Sequence, residues 1–115
     1  MTDLILLRVQ YAKRAVEKCL PQFGASLTAL QHDNRARNIS DLRSTMMHIL
    51  RERTGLPLQA IGSIFKRDHA SVIHNVKKVR NLLQTERGFA ISYAEVDATL
   101  CEFLEKELHG SKSKK

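Results

Sequence analysis

Tryptophan is absent from this chain, and prolines (two), glycines (five) and tyrosines (two) are scarce. So few turn formers exclude a sheet of many short strands, and so few rings leave Leu, Ile and Val to supply the packing. No apolar run approaches membrane-spanning length, Leu4-Ile5-Leu6-Leu7 being far too short, and no membrane partner is expected. Asp3 and the lack of a small-residue cleavage site argue against a signal peptide, so a cytoplasmic location is expected. Cys19 and Cys101 lie far apart inside helical patterns, and buried reduced thiols are expected of them. The five histidines show no Cys/His ligand spacing; His69 and His74, five apart, turn to different faces of a helix. Neither a metal nor a cofactor is expected. A glycine-rich loop closing on Lys-Ser/Thr is also missing, and 115 residues make one small domain without room for a nucleotide-hydrolysing one beside it.

What the chain does have is positive charge, +7 in total and unevenly placed. Ten Lys and Arg against three acids fall between Asn34 and Asn81, while the flanks balance at nine against nine. A basic middle between neutral ends suggests a surface for a polyanion, although helical domains also expose Lys and Arg for solubility alone.

Hydrophobic periodicity predicts helices throughout. The first runs from Leu4 to Leu20 with Leu6, Val9, Ala12, Val16 and Leu20 on its buried stripe, and Pro21 ends it. A short helical turn follows Ser26. Residues 33–38 read as a polar basic loop, on which Arg35 and Arg37, two apart on extended backbone, point the same way and can reach a minor groove. Ser40 is the expected N-cap of the next helix, with Asp41 in its first turn. Leu42, Met46, Ile49 and Leu50 form its buried stripe, and Arg43, His48 and Arg51 are expected away from it. Thr54-Gly55 stops that helix, and Pro57 opens the short one carrying Leu58, Ile61, Ile64 and Phe65 inward. Gly62 costs ~1 kcal/mol in a helix relative to Ala, so a close helix–helix approach is expected there. The following helix runs from Asp68 or His69 to Gln84, with Val72, Ile73, Val76, Val79 and Leu83 buried and Ser71, Asn75, Lys78 and Leu82 on other sides. Residues 85–89 are read as a connector. Ser92-x-x-Glu95, with Ile91 and Val96 around it, reads as a capping box and staple for the last helix. That helix carries Tyr93, Val96, Leu100, Phe103, Leu104 and Leu108, and Gly110 ends it. Residues 1–109 are thus expected to form a single all-α domain with a basic, disordered tail over 110–115.

Helix, tight turn, and a longer helix led by polar residues, over about 57–84, is the order of a helix-turn-helix DNA reader. The stretch Lys66-Arg67-Asp68-His69-Ala70-Ser71-Val72-Ile73-His74-Asn75 carries cations for phosphate, polar groups for base edges and apolar anchors. Asp68 is either a helix cap or a base contact, or both. His74 is either a phosphate contact or a hydrogen-bonded, partly buried ring. Asp68, His69 and Ser71 have hydrolase chemistry, but on one helix turn they cannot form a nucleophile–base–orienter relay, so no enzyme is expected.

Arg67-Asp68-His69-x-x-Val72-x-His74, with Arg51-Glu52-x-Thr54-Gly55-Leu56-x-Leu58 and Ile61-Gly62 upstream, resembles the C-terminal DNA-binding domain of the bacterial replication initiator DnaA family. Arg35-Ala36-Arg37 sits where that family has its minor-groove arginines. The similarity covers about residues 5 to 108. It implies an all-helical domain, similar to the Trp-repressor group, that reads a short box in double-stranded DNA in replication initiation or transcription. By position, Asp68, His69, Ala70 and Ser71 would face base edges, with Arg37 and Arg35 in the adjacent minor groove. Lys66, Arg67, His74, Lys77 and Lys78 would meet phosphates. Lys66 and Ala70 depart from the family, which usually has Gly and Thr or Ser there. The alternative reading is a protein-interaction module that docks on a replication initiator or other regulatory protein, as a monomer or weak dimer.

Overall fold

A computed structural model describes residues 3–32 and 36–109, and among them every regular element is a helix. They are α1 (Asp3–Cys19), a 3₁₀ turn (Leu20–Phe23), α2 (Leu27–Gln31), α3 (Arg37–Thr54), α4 (Leu58–Phe65), α5 (His69–Thr85) and α6 (Arg87–His109). The protein is all-α, as its composition and periodicity imply. Arg35 and the expected tail at 110–115 lie outside the described residues.

Helix α3 is the axis of the molecule, with α2, α4, α5 and α6 all packed on it. A helix covered from several sides buries more than one stripe, and all eight residues from Arg43 to Leu50 are buried. Arg43 and His48, expected outside, are therefore inside. Arg43 Nε donates to the Leu30 carbonyl at 2.7 Å, and its Nη2 donates to that of His32 at 3.2 Å. His48 Nδ1 lies 2.7 Å from the Tyr93 hydroxyl. Each buried polar head has found a partner, as burial demands. Arg51 stays exposed, as expected.

Two helix starts differ from the sequence reading, for one reason. Helix α3 begins at Arg37 after Ala36, so Ser40 and Asp41 are its fourth and fifth residues and do not cap it. Their side chains face sideways: Lys78 Nζ reaches both Ser40 Oγ and Asp41 Oδ1 at 3.2 Å. Helix α6 begins at Arg87, which leaves Glu86 alone as the connector and puts Ser92 inside the helix. Ile91 is consequently 58% exposed and staples nothing. Cap-forming residue types also occur within helices, and at Ser40 a tertiary partner, Lys78, takes the oxygen.

Helix α1 packs along α6, and Lys18 pairs with Glu107 between them. Its buried residues are Ala12, Ala15, Val16 and Cys19, whereas Leu6, expected inside, is 44% exposed. The C-terminal end of α3 is held to α6 by a two-pronged contact of Arg53 with Asp97, at 3.2 and 2.7 Å. Gly55 closes α3 with φ +67°, the left-handed stop expected of it.

Candidate nucleic-acid interface

Helices α4 and α5, with residues 66–68 between them, form the expected helix-turn-helix. The turn is closed by its backbone: Arg67 N–H donates to the Gly62 carbonyl at 2.9 Å and Lys66 N–H to that of Ser63 at 3.4 Å. This is a Schellman ending, with Lys66 in the left-handed position usually given to glycine (φ 57°, ψ 46°). Gly62 makes the fold-back possible. A Cβ there would lie 2.3 Å from the Arg67 carbonyl oxygen and 3.3 Å from Val72 Cγ2. The close approach is thus first to the turn backbone, and second to α5, the helix–helix contact expected.

Arg67 does not point away from the fold. Its Nη1 donates to the Gln31 carbonyl at 3.0 Å and its Nη2 to the His32 carbonyl at 2.9 Å. The Gln31 amide in turn donates to the Ile64 carbonyl at 2.9 Å. Together with Arg43, Arg67 supplies donors to the open carbonyls at the end of α2, where a positive charge also suits the helix dipole. The His32 carbonyl is shared by both arginines. The residue from which the chain sets out toward Arg35 and Arg37 is therefore fastened to the helix-turn-helix turn.

Beyond the turn, Asp68 caps α5: its Oδ1 accepts from the Ser71 N–H at 2.9 Å. Asp68, His69 and Ala70 are exposed and form the leading tip. Ser71 is half-buried, and Asn75 Nδ2 donates to its carbonyl at 2.7 Å. Asn75 Oδ1 in turn accepts from the Ser44 hydroxyl, which locks this turn of α5 onto α3. Val72, Val76 and Val79 are buried as expected, but Ile73 is 37% exposed. One helical step turns Ile73 about 100° from Val72, out onto an open stripe with Ala70, His74, Lys77 and Arg80.

The remaining residues expected at the DNA backbone and minor groove divide into two kinds. Lys66, Lys77 and His74 are exposed. Lys78 and Arg37 sit among carboxylates: Lys78 on Asp41, and Arg37 on Asp41 at 3.5 Å and on Glu86 at 3.3 Å. Arg37 is the first residue of α3, where the sequence reading put it on an extended loop beside Arg35. It lies seven residues, about 10 Å, along α3 from Ser44, toward the end of α5 away from the tip, where it meets Glu86. The sequence marked Asp41 only as a first-turn acid, not as a partner of Arg37, and did not single out Glu86. The i,i+4 spacing of Arg37 and Asp41 would have signalled the first, given a helix begun at 37.

Among the described residues no group of three or more His, Cys, Asp or Glu could hold a metal ion, and no helix is long and apolar enough to cross a membrane. Cys19 and Cys101 are both free, and burial raises the Cys19 thiol to about 11.

The sequence matches the family described as bacterial dnaA protein helix-turn-helix over residues 13–79. The chromosomal replication initiator protein DnaA of Wolbachia pipientis wMel is 33% identical over 94 residues, covering 77% of this chain and 20% of that protein. That of Thermosipho melanesiensis is 36% identical over 89 residues, with 73% and 20% covered. That of Desulfotalea psychrophila is 41% identical over 58 residues, with 50% and 12% covered. The chain thus spans a fifth or less of the length of these relatives. No solved structure matches it.

Proposed function

The chain belongs to the bacterial DnaA helix-turn-helix family, and from that premise we propose that it reads a DnaA-box-like site in double-stranded DNA during replication initiation or its control. Residues 1–109 act as one DNA-binding unit. The observation that carries the reading is the exposed tip Asp68–His69–Ala70 at the start of α5, with Arg37 exposed on α3, the helix against which α5 packs. A tip and an arginine held in fixed relation can occupy a major groove and the minor groove beside it.

Asp68, His69, Ala70 and Ser71 face base edges. An aspartate accepts from a cytosine amino group, and an alanine methyl suits a thymine methyl. Exposed Ile73, one turn on, adds a second apolar contact. Lys66, His74 and Lys77 meet phosphates, and Arg37, with Arg35, enters the minor groove. Arg67 and Lys78, grouped by sequence with the phosphate contacts, act mainly by positioning, since their head groups are engaged inside the protein. No step of this binding needs ATP. Its place of action is the nucleoid.

Selection of bound duplexes from a random pool tests the reading. A recovered word supports it, and equal retention of every duplex overturns it. With the recovered duplex, His69→Ala and Ser71→Ala are expected to relax preference by ~1–3 kcal/mol for each base no longer read. Arg37→Ala lowers affinity more evenly. Binding weakens steeply with salt, because each phosphate contact releases a counterion. Adding ATP leaves the affinity unchanged.

A further inference from the structure

At the end of α5 away from the tip, two carboxylates and two cations interlock. Asp41 gives one oxygen to each cation: Oδ2 lies 3.5 Å from Arg37 Nε and Oδ1 lies 3.2 Å from Lys78 Nζ. Glu86, the single residue between α5 and α6, takes Arg37 Nη2 at 3.3 Å. The Arg37 side chain is 75% exposed and that of Glu86 46%, whereas those of Asp41 and Lys78 are 25% and 30% exposed. The inner pair is thus held in place and the outer pair is free to open.

We propose that Asp41 and Glu86 form a carboxylate clamp that holds Arg37 and Lys78 off the DNA, and so set the affinity and salt response of the interface. The proposal rests on the DNA-reading role given above to this face. To enter a groove, Arg37 must leave two carboxylates. Both then remain within a Debye length, about 8 Å at physiological salt, of the phosphates that the neighbouring cations approach. Exposed ion pairs are weak, so the clamp opens readily. The lasting effect is repulsion, together with one phosphate partner fewer for each cation kept by a carboxylate. The clamp therefore lowers binding to every duplex and limits how many counterions binding releases.

The test compares the full chain with Glu86→Gln, with Asp41→Asn/Glu86→Gln, and with Glu102→Gln. The last removes an equal charge from an exposed position on α6 away from the cluster. The probe is the duplex recovered by selection or, where none is recovered, pooled random duplex. Affinity is titrated across a series of salt concentrations, with thermal melting to confirm folding. Glu86→Gln is expected to bind roughly two- to fivefold more tightly at low salt, with the double variant tighter still. The log–log salt slope should steepen by about one for each cation that gains a phosphate. Glu102→Gln should follow the unaltered chain. If the unaltered chain binds and the clamp variants track Glu102→Gln, or bind more weakly because the carboxylates orient Arg37, the clamp is overturned and the DNA reading stands. If only the clamp variants retain duplex, the clamp is supported in its strongest form. If none of the chains retains duplex, both readings fall together. Should the double variant fail to fold, Glu86→Gln alone decides, because its side chain is exposed.

Discussion

Residue by residue, the helix-turn-helix depends on two backbone positions with opposite demands. Gly62 has a carbonyl oxygen where a methyl would go, at 2.3 Å. Gly62→Ala would raise helix propensity, yet the overlap with backbone cannot be relieved by a rotamer change. The expected result is a loss of about 1–3 kcal/mol, read as a lower denaturant midpoint. Lys66 is the reverse case, a side chain in a left-handed conformation that costs a non-glycine residue about 1–2 kcal/mol. Lys66→Gly should leave stability unchanged or raise it by up to about 1 kcal/mol, since part of the relief is offset by glycine's greater unfolded-state freedom. Duplex affinity should nevertheless fall, as an exposed cation beside the tip is lost. A fall in stability together with unchanged affinity would show that the lysine has no electrostatic part in binding. The strain is tolerated because Lys66 and Arg67 N–H groups close the end of α4 from that geometry.

At the scale of elements, the question is how a five-residue helix far too short to persist alone comes to orient the interface. Helix α2 is capped at its start by Ser26, whose Oγ accepts from the Ala29 N–H at 3.2 Å. At its end it is held by Arg43 and Arg67, which act on its last carbonyls from α3 and from the helix-turn-helix turn. Removing one partner of a charge-assisted bond leaves carbonyls unpaired. Arg67→Ala is accordingly expected to cost about 1–3 kcal/mol and to expose backbone amides at 27–32 to faster hydrogen exchange. A pure phosphate contact predicts lower duplex affinity with unchanged stability and exchange, so the two roles separate cleanly. Helix α5 shows the same division of labour. Its first turn presents the tip, its Val72-Val76-Val79 line anchors it, and Asn75 and Lys78 fasten it to α3.

For the molecule as a whole, the buried polar group that matters most is His48, set between α3 and α6 against Tyr93. Burial pushes its pKa below the ordinary 6.5, and Arg80 pushes the same way against Glu52 and Asp97. Burial likewise raises the Tyr93 phenol to about 12, so it stays a neutral partner. A histidine whose folded pKa is lowered binds fewer protons in the folded state than in the unfolded one. Its stabilising contribution is therefore whole above pH 6.5 and declines as pH falls through the folded value. Melting temperature should drop as pH is lowered below 6.5, and His48→Gln, which cannot ionise but can still bond to Tyr93, should flatten that decline. Equal slopes for both proteins would remove His48 from the account. How much of this was legible beforehand follows the range of the forces involved. The all-α class, the stop at Gly55, the short helix with Ile61, Ile64 and Phe65 inside and the turn all depend on contacts within a few residues, and sequence alone determined them, while the Asp68 cap was one of two roles it left open. Arg43 and His48 moved from surface to core, Arg67 and Lys78 became internal ties, and Arg37 and Ser92 joined helices rather than loop and cap. Those outcomes were decided by tertiary structure, because a long polar side chain carries no local sign of which distant carbonyl or carboxylate will meet it when the helices close around α3.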